Sequence, residues 1–123
     1  MNKLDFDNHV RKWTEFEDMS YSIEGDAGKV KIVSGEKEIQ VTAAYDCEEF
    51  FIDFFLDGNA LYSDWYESME EPVSEMMTYT KEIAVRYLNY PVRVKSVGWW
   101  VFKRPVIEYQ VNNEWRNVFD GSI

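Results

Sequence analysis

From Met19 to Leu56 the apolar residues of this chain fall at every second position, in short runs broken by turns rich in glycine. Met19, Tyr21 and Ile23 alternate with Ser20, Ser22 and Glu24. Val30 and Ile32 follow the turn Gly25-Asp26-Ala27-Gly28, and Ile39, Val41 and Ala43 follow Ser34-Gly35-Glu36. Phe50 to Leu56 forms a further run that stops at Asp57-Gly58-Asn59. A period of two is the period of a β-strand, whose successive side chains point to opposite faces. Connections this short join antiparallel neighbours, so the stretch reads as a meander.

Helical spacing flanks this region on both sides. Over residues 3–18, Phe6, Val10 and Trp13 recur at helical intervals with Phe16 beside them, while Lys3, Arg11, Lys12 and Glu15 lie elsewhere; Asn2 or Asp5 can cap the start. Leu61 to Tyr66 fits a short strand or an ordered loop equally well. Pro72 suits the first turn of a second helix, where its missing N–H is no loss. Val73, Met76, Met77, Thr80, Ala84, Tyr87 and Leu88 form its apolar stripe, and Tyr90-Pro91 ends it. From there to Phe119 the pattern is strand again, with breaks near Arg104-Pro105 and at Asn112-Asn113. The expected fold is one α+β domain over residues 1–123, an antiparallel meander-type sheet of about six to seven strands with two helices packed on one face.

Two strands carry aromatic residues on both faces. Phe50, Ile52, Phe54 and Leu56 oppose Phe51, Asp53 and Phe55; Val97, Trp99 and Val101 oppose Gly98, Trp100 and Phe102. Either these strands are covered twice, or Gly98 marks a bulge that switches faces, or Phe51, Phe55 and one of the tryptophans line an exposed patch or cleft.

The charge is just as uneven. The formal net charge is -10, and between Lys37 and Lys81 there is no basic side chain against eleven acids: Glu38, Asp46, Glu48, Glu49, Asp53, Asp57, Asp64, Glu67, Glu70, Glu71 and Glu75. The same segment holds Tyr45, Phe50, Phe51, Phe54, Phe55, Tyr62, Trp65, Tyr66 and Tyr79. Disordered acidic tails are poor in aromatics, so this charge belongs to a folded surface. Its field attracts basic partners and opposes nucleic acid and anionic membranes. A weak basic-aromatic patch at Lys95, Lys103 and Arg104 does not offset that. No apolar run approaches the ~18 residues of a membrane span. The polar N-terminus has no apolar stretch of a signal peptide behind it, and a cytoplasmic location is expected.

Catalytic and metal patterns are weak. His9 is the one histidine and Cys47 the one cysteine, so a zinc set is short of ligands and no internal disulfide forms. Asp46, Glu48 and Glu49 beside Cys47 suppress its thiolate. Asp53, Asp57, Gly58 and Asp64 partly imitate a calcium loop, but Phe55 occupies a ligand position and the entering segment is a strand. Glu48/Glu49 and Glu70/Glu71 are adjacent pairs, which cannot face each other across a cleft as glycoside hydrolysis requires. No phosphate-binding glycine loop is present. No cofactor and no metal are expected.

The resulting expectation is a non-enzymatic acidic protein-interaction domain, an inhibitor or immunity-type protein masking the basic surface of a partner such as a nuclease-type toxin. Asp46, Glu48, Glu49, Asp53, Asp57, Asp64, Glu67, Glu70 and Glu71 would supply the field, with Trp65 and Tyr66 as anchors. Two alternatives stand beside it. One is a small-molecule-binding domain whose pocket between sheet and helices uses Phe51, Phe55, Met76, Met77, Trp99 and Trp100. The other is a homodimeric structural subunit with its aromatic faces buried between copies.

Overall fold

In the computed structural model the described residues are 3–25, 27–44, 49–67, 73–97 and 104–122. The chain runs α1 (Lys3–Arg11), β1 (Asp18–Glu24), β2 (Ala27–Ser34), β3 (Lys37–Ala44), β4 (Glu49–Leu56), β5 (Asn59–Glu67), α2 (Val73–Leu88), β6 (Val92–Val97), β7 (Arg104–Val111) and β8 (Glu114–Asn117). The segment from Leu61 to Tyr66, open between strand and loop in sequence, is strand. The strands form two antiparallel sheets, a five-stranded one in the order β1-β2-β3-β4-β5 and a three-stranded one in the order β6-β7-β8. The single sheet of about six to seven strands expected from the alternation is therefore corrected to two sheets. The physical reason lies in α2: its sixteen residues separate β5 from β6, and the strands beyond it find their partners across local hairpins instead. The Asn112-Asn113 turn, with φ of 53° and 64°, has the twist that suits a two-residue hairpin between β7 and β8.

The pleat explains which residues are inside. In β4 the even positions Phe50, Ile52 and Phe54 are fully buried, and they pair across the ladder with Ala43, Val41 and Ile39 of β3, also buried. Val30 and Ile32 of β2 continue the same face. Both helices cover it. Phe6 of α1 packs against Tyr21 and Phe50, at ring-centroid distances of 5.9 and 6.2 Å. Tyr87 of α2 meets Phe54 edge-on at 5.1 Å. Gly28 lies close beneath α1: a Cβ there would be 3.1 Å from the Phe6 ring and 2.9 Å from the Tyr21 hydroxyl, so both side chains would have to shift.

Helix α1 is shorter than its apolar spacing implies. It ends at Arg11, and a tighter turn follows in which Lys12 and Trp13 donate backbone hydrogen bonds to His9 and Val10. Trp13 is buried and stacks edge-on with Phe16 at 6.0 Å. Both side chains thus reach the core from irregular backbone, which a helical spacing rule cannot distinguish from another turn of helix. Pro72 and the segment 98–103, which holds Gly98, lie outside the described residues.

The far end of the core is closed from the C-terminal segment. Phe119 packs edge-on against Phe54 and Tyr62, at 5.5 and 5.8 Å. Arg86 of α2 donates to the carbonyls of Val118 and Phe119. Two polar contacts tie the end of α2 to the sheet. Lys37 donates to the Tyr90 carbonyl at 2.7 Å, and its burial pushes the ammonium below the ordinary lysine range. The Tyr87 hydroxyl donates to the Phe55 carbonyl at 2.7 Å, where the β4–β5 register shifts. Burial, assisted by the charge of Asp57, pushes the Tyr87 phenol up to about 12. Among the described residues no helix is long and apolar enough to cross a membrane.

A phenol whose pKa is raised on folding contributes stability that is complete below its unfolded value, near 10, and lost as pH rises through the folded value. Tyr87→Phe is expected to lower stability at pH 7 by about 1–2 kcal/mol, since the Phe55 carbonyl loses its donor. The variant is also expected to show a shallower alkaline loss than the parent in urea titrations between pH 10 and about 12. Parallel curves for the two proteins would refute the assignment.

Candidate functional site

The helices cover one face of the five-stranded sheet, and the other face carries the odd positions of β4. Glu49, Phe51, Asp53 and Phe55 stand opposite Ala44, Thr42, Gln40 and Glu38 of β3. On the other side they pair with Glu67, Trp65, Ser63 and Ala60 of β5. Phe51 and Phe55 are half-buried there, whereas Phe50 and Phe54 on the helix-covered face are fully buried. The aromatic double-sidedness of this strand therefore resolves into one core face and one partly open face.

Charge is graded across the open face. Toward β1 and β2 it is neutralised: Lys31 pairs with Glu38 at 3.5 Å and Lys29 with Glu24 at 4.0 Å, while Gln40 donates to Glu38 at 2.6 Å. Toward β4 it is not. Asp53 accepts from the Ser63 hydroxyl. Neither it nor Glu49 takes part in an ion pair among the described residues. Two half-buried phenylalanines thus alternate along one strand with two carboxylates that have no ion-pair partner among the described residues.

Among the described residues, Asp57, Asp64 and Glu75 lie apart from this face. Asp57 occupies the β4–β5 turn with φ of 52°. Asp64 is opposite Ile52, on the helix-covered side of the pleat, and its charge helps to raise the Tyr79 phenol, after burial. Glu75 is exposed in the first turn of α2. Glu67, Trp65 and Tyr66 hold β5 positions opposite Glu49, Phe51 and Phe50, their side chains lying outside the described set. Asp46, Cys47, Glu48, Glu70 and Glu71 fall outside the described residues altogether. The calcium-loop likeness dissolves in the same way, since Asp53 and Asp64 sit on opposite faces of adjacent strands. Among the described residues no group of three or more potential ligands is close enough to hold a metal ion.

Of the residues grouped above as a pocket, the three whose side chains are described are not brought together. Met77 is a buried residue of α2 itself, on the helix-covered side, while Phe51 and Phe55 lie on the other side of the sheet. Trp99, Trp100 and the Met76 side chain lie outside the described residues. A cleft among the described residues lies elsewhere, about 630 Å³ between the α1–β1 connection, the β2–β3 turn and the end of α2. Sequence reasoning passed over it because Glu15 was assigned to a helix flank; the acidic-aromatic run Glu15-Phe16-Glu17-Asp18 was the available signal.

No family model, no curated protein and no solved structure matches this chain.

The two faces of β4 predict unequal substitutions at neighbouring positions. Phe54→Ala is expected to destabilise by about 3–5 kcal/mol, as a large cavity opens between Tyr87 and Phe119. Phe51→Ala is expected to cost less, about 1–2 kcal/mol in urea unfolding, because part of its surface is already in water. Equal losses would mean that the outer face is covered in solution.

Proposed function

We propose that this domain is a non-enzymatic binding module that masks a positively charged surface of a protein partner through the outer face of its five-stranded sheet. The observation that carries the reading is the alternation of Phe51 and Phe55 with Glu49 and Asp53, which join no ion pair among the described residues. Aromatic side chains with surface left to bury supply desolvated contact area. Carboxylates without local cations raise the association rate and select against acidic competitors. The net charge of -10 adds a long-range pull in the same direction. An inhibitor or immunity-type protein facing a nuclease-type toxin has this chemistry, because a nuclease must present a basic surface to its own substrate.

The test is affinity capture from the host lysate at low salt, with three baits run in parallel. The parent protein is expected to retain a basic protein in stoichiometric amount, released by a salt step. Glu49→Lys with Asp53→Lys should lose it, while Glu75→Lys, remote from this face, should keep it. With the purified partner, the charge reversals are expected to lower the association rate by about tenfold and flatten its salt dependence. Phe51→Ala with Phe55→Ala should instead raise the dissociation rate. Retention of the same partner by all three baits would exclude this face.

A further inference from the structure

We infer that the cleft between the α1–β1 connection and the end of α2 is a separate binding site for a small organic cation with an apolar body. Its volume of about 630 Å³ lies within the range of small-molecule sites, and it shares no lining residue with the outer face of β4. The walls come from three parts of the chain: residues 15–18, the β2–β3 turn at Ser34 and Gly35, and Leu88 with Asn89 where α2 ends.

Three properties of the cleft define the occupant. Phe16 and Leu88 provide apolar lining, and both also pack with the hydrophobic core, so the surface is rigidly backed. Among the described residues that line the cleft none is a lysine, arginine or histidine, while Glu15, Glu17 and Asp18 are all present. Glu15 is shared with Lys81 at 3.2 Å and held by the Thr14 amide at 3.0 Å. Glu17 and Asp18 are exposed and join no ion pair among the described residues. The sixteen-residue helix α2 ends in the cleft wall, so the negative end of its dipole adds to the carboxylates. An anion is repelled by Glu17, Asp18 and the helix end, and a second copy of so acidic a chain is repelled as a whole. A bare ammonium leaves the apolar lining unused. An ammonium or guanidinium on an aromatic or alkyl body satisfies both.

The probe is 4-phenylbutylamine, titrated into the 123-residue chain and followed through backbone amide resonances in two-dimensional NMR. Its neutral counterpart 4-phenylbutanol and the apolar-free cation tetramethylammonium serve as comparisons. The amine is expected to shift the amides of Ser34, Gly35 and Asn89 saturably, with either comparison compound binding about tenfold more weakly or less. Glu17→Gln with Asp18→Asn, both at exposed positions, should weaken the amine by about tenfold while the circular dichroism spectrum stays that of the parent. Equal binding of the alcohol, or undiminished binding by the double variant, would overturn the cationic requirement. Shifts centred on Glu49–Leu56 would place the amine on the protein-binding face and overturn the site itself.

Discussion

Everything in this molecule follows from the register between β3, β4 and β5. Because Ile39 faces Phe54, Val41 faces Ile52 and Ala43 faces Phe50, one side of the sheet becomes a continuous apolar floor for two helices. A slip of one residue would turn that floor outward and bury Asp53 and Glu49 under α2. The hairpins hold the register. Gly35 adopts φ of 59°, and Asp57 and Gly58 adopt 52° and 80°, the left-handed conformations that let two-residue turns match the twist of the strands they join.

The same register decides what the negative charge can do. Eleven acids in sequence look like a single object; those among the described residues are separated by the pleat. Glu38 is neutralised by Lys31, Asp64 is turned toward α2, Asp57 is held in a turn, and Glu49 and Asp53 remain beside Phe51 and Phe55 on the open side. Among the described side chains the open face of β4 thus carries Glu49 and Asp53, and their worth lies in the half-buried rings between them. A charge on a surface already supplied with counter-charges steers little.

Much of the architecture was legible in the amino-acid sequence. The order of helices and strands followed from the switch between periods of 3.6 and 2, and the turns at Gly35, Asp57-Gly58 and Asn112-Asn113 lie where their residues demanded them. Three features were not legible. The end of α1 was hidden because Trp13 and Phe16 keep helical spacing while the backbone has left the helix. The split into two sheets depends on which strand edges meet, and periodicity carries no information on that. The cleft brings residues 15–18 to Asn89 and Gly35, a long-range coincidence invisible to any local pattern. For the site, alternation in β4 correctly separated Phe50 and Phe54 from Phe51 and Phe55, but only the packing of the helices could say which set was inside.

The position of Phe119 sets the order in which the molecule can mature. The five-stranded meander needs only neighbouring hairpins and can assemble from local encounters. Its aromatic floor around Phe54 and Tyr62, however, is sealed by a ring some sixty residues downstream. A nascent chain that has released the first five strands is left with that patch uncapped and with open strand edges. The interval until residues 118–121 emerge is thus the window in which a chaperone would be most useful and self-association most dangerous.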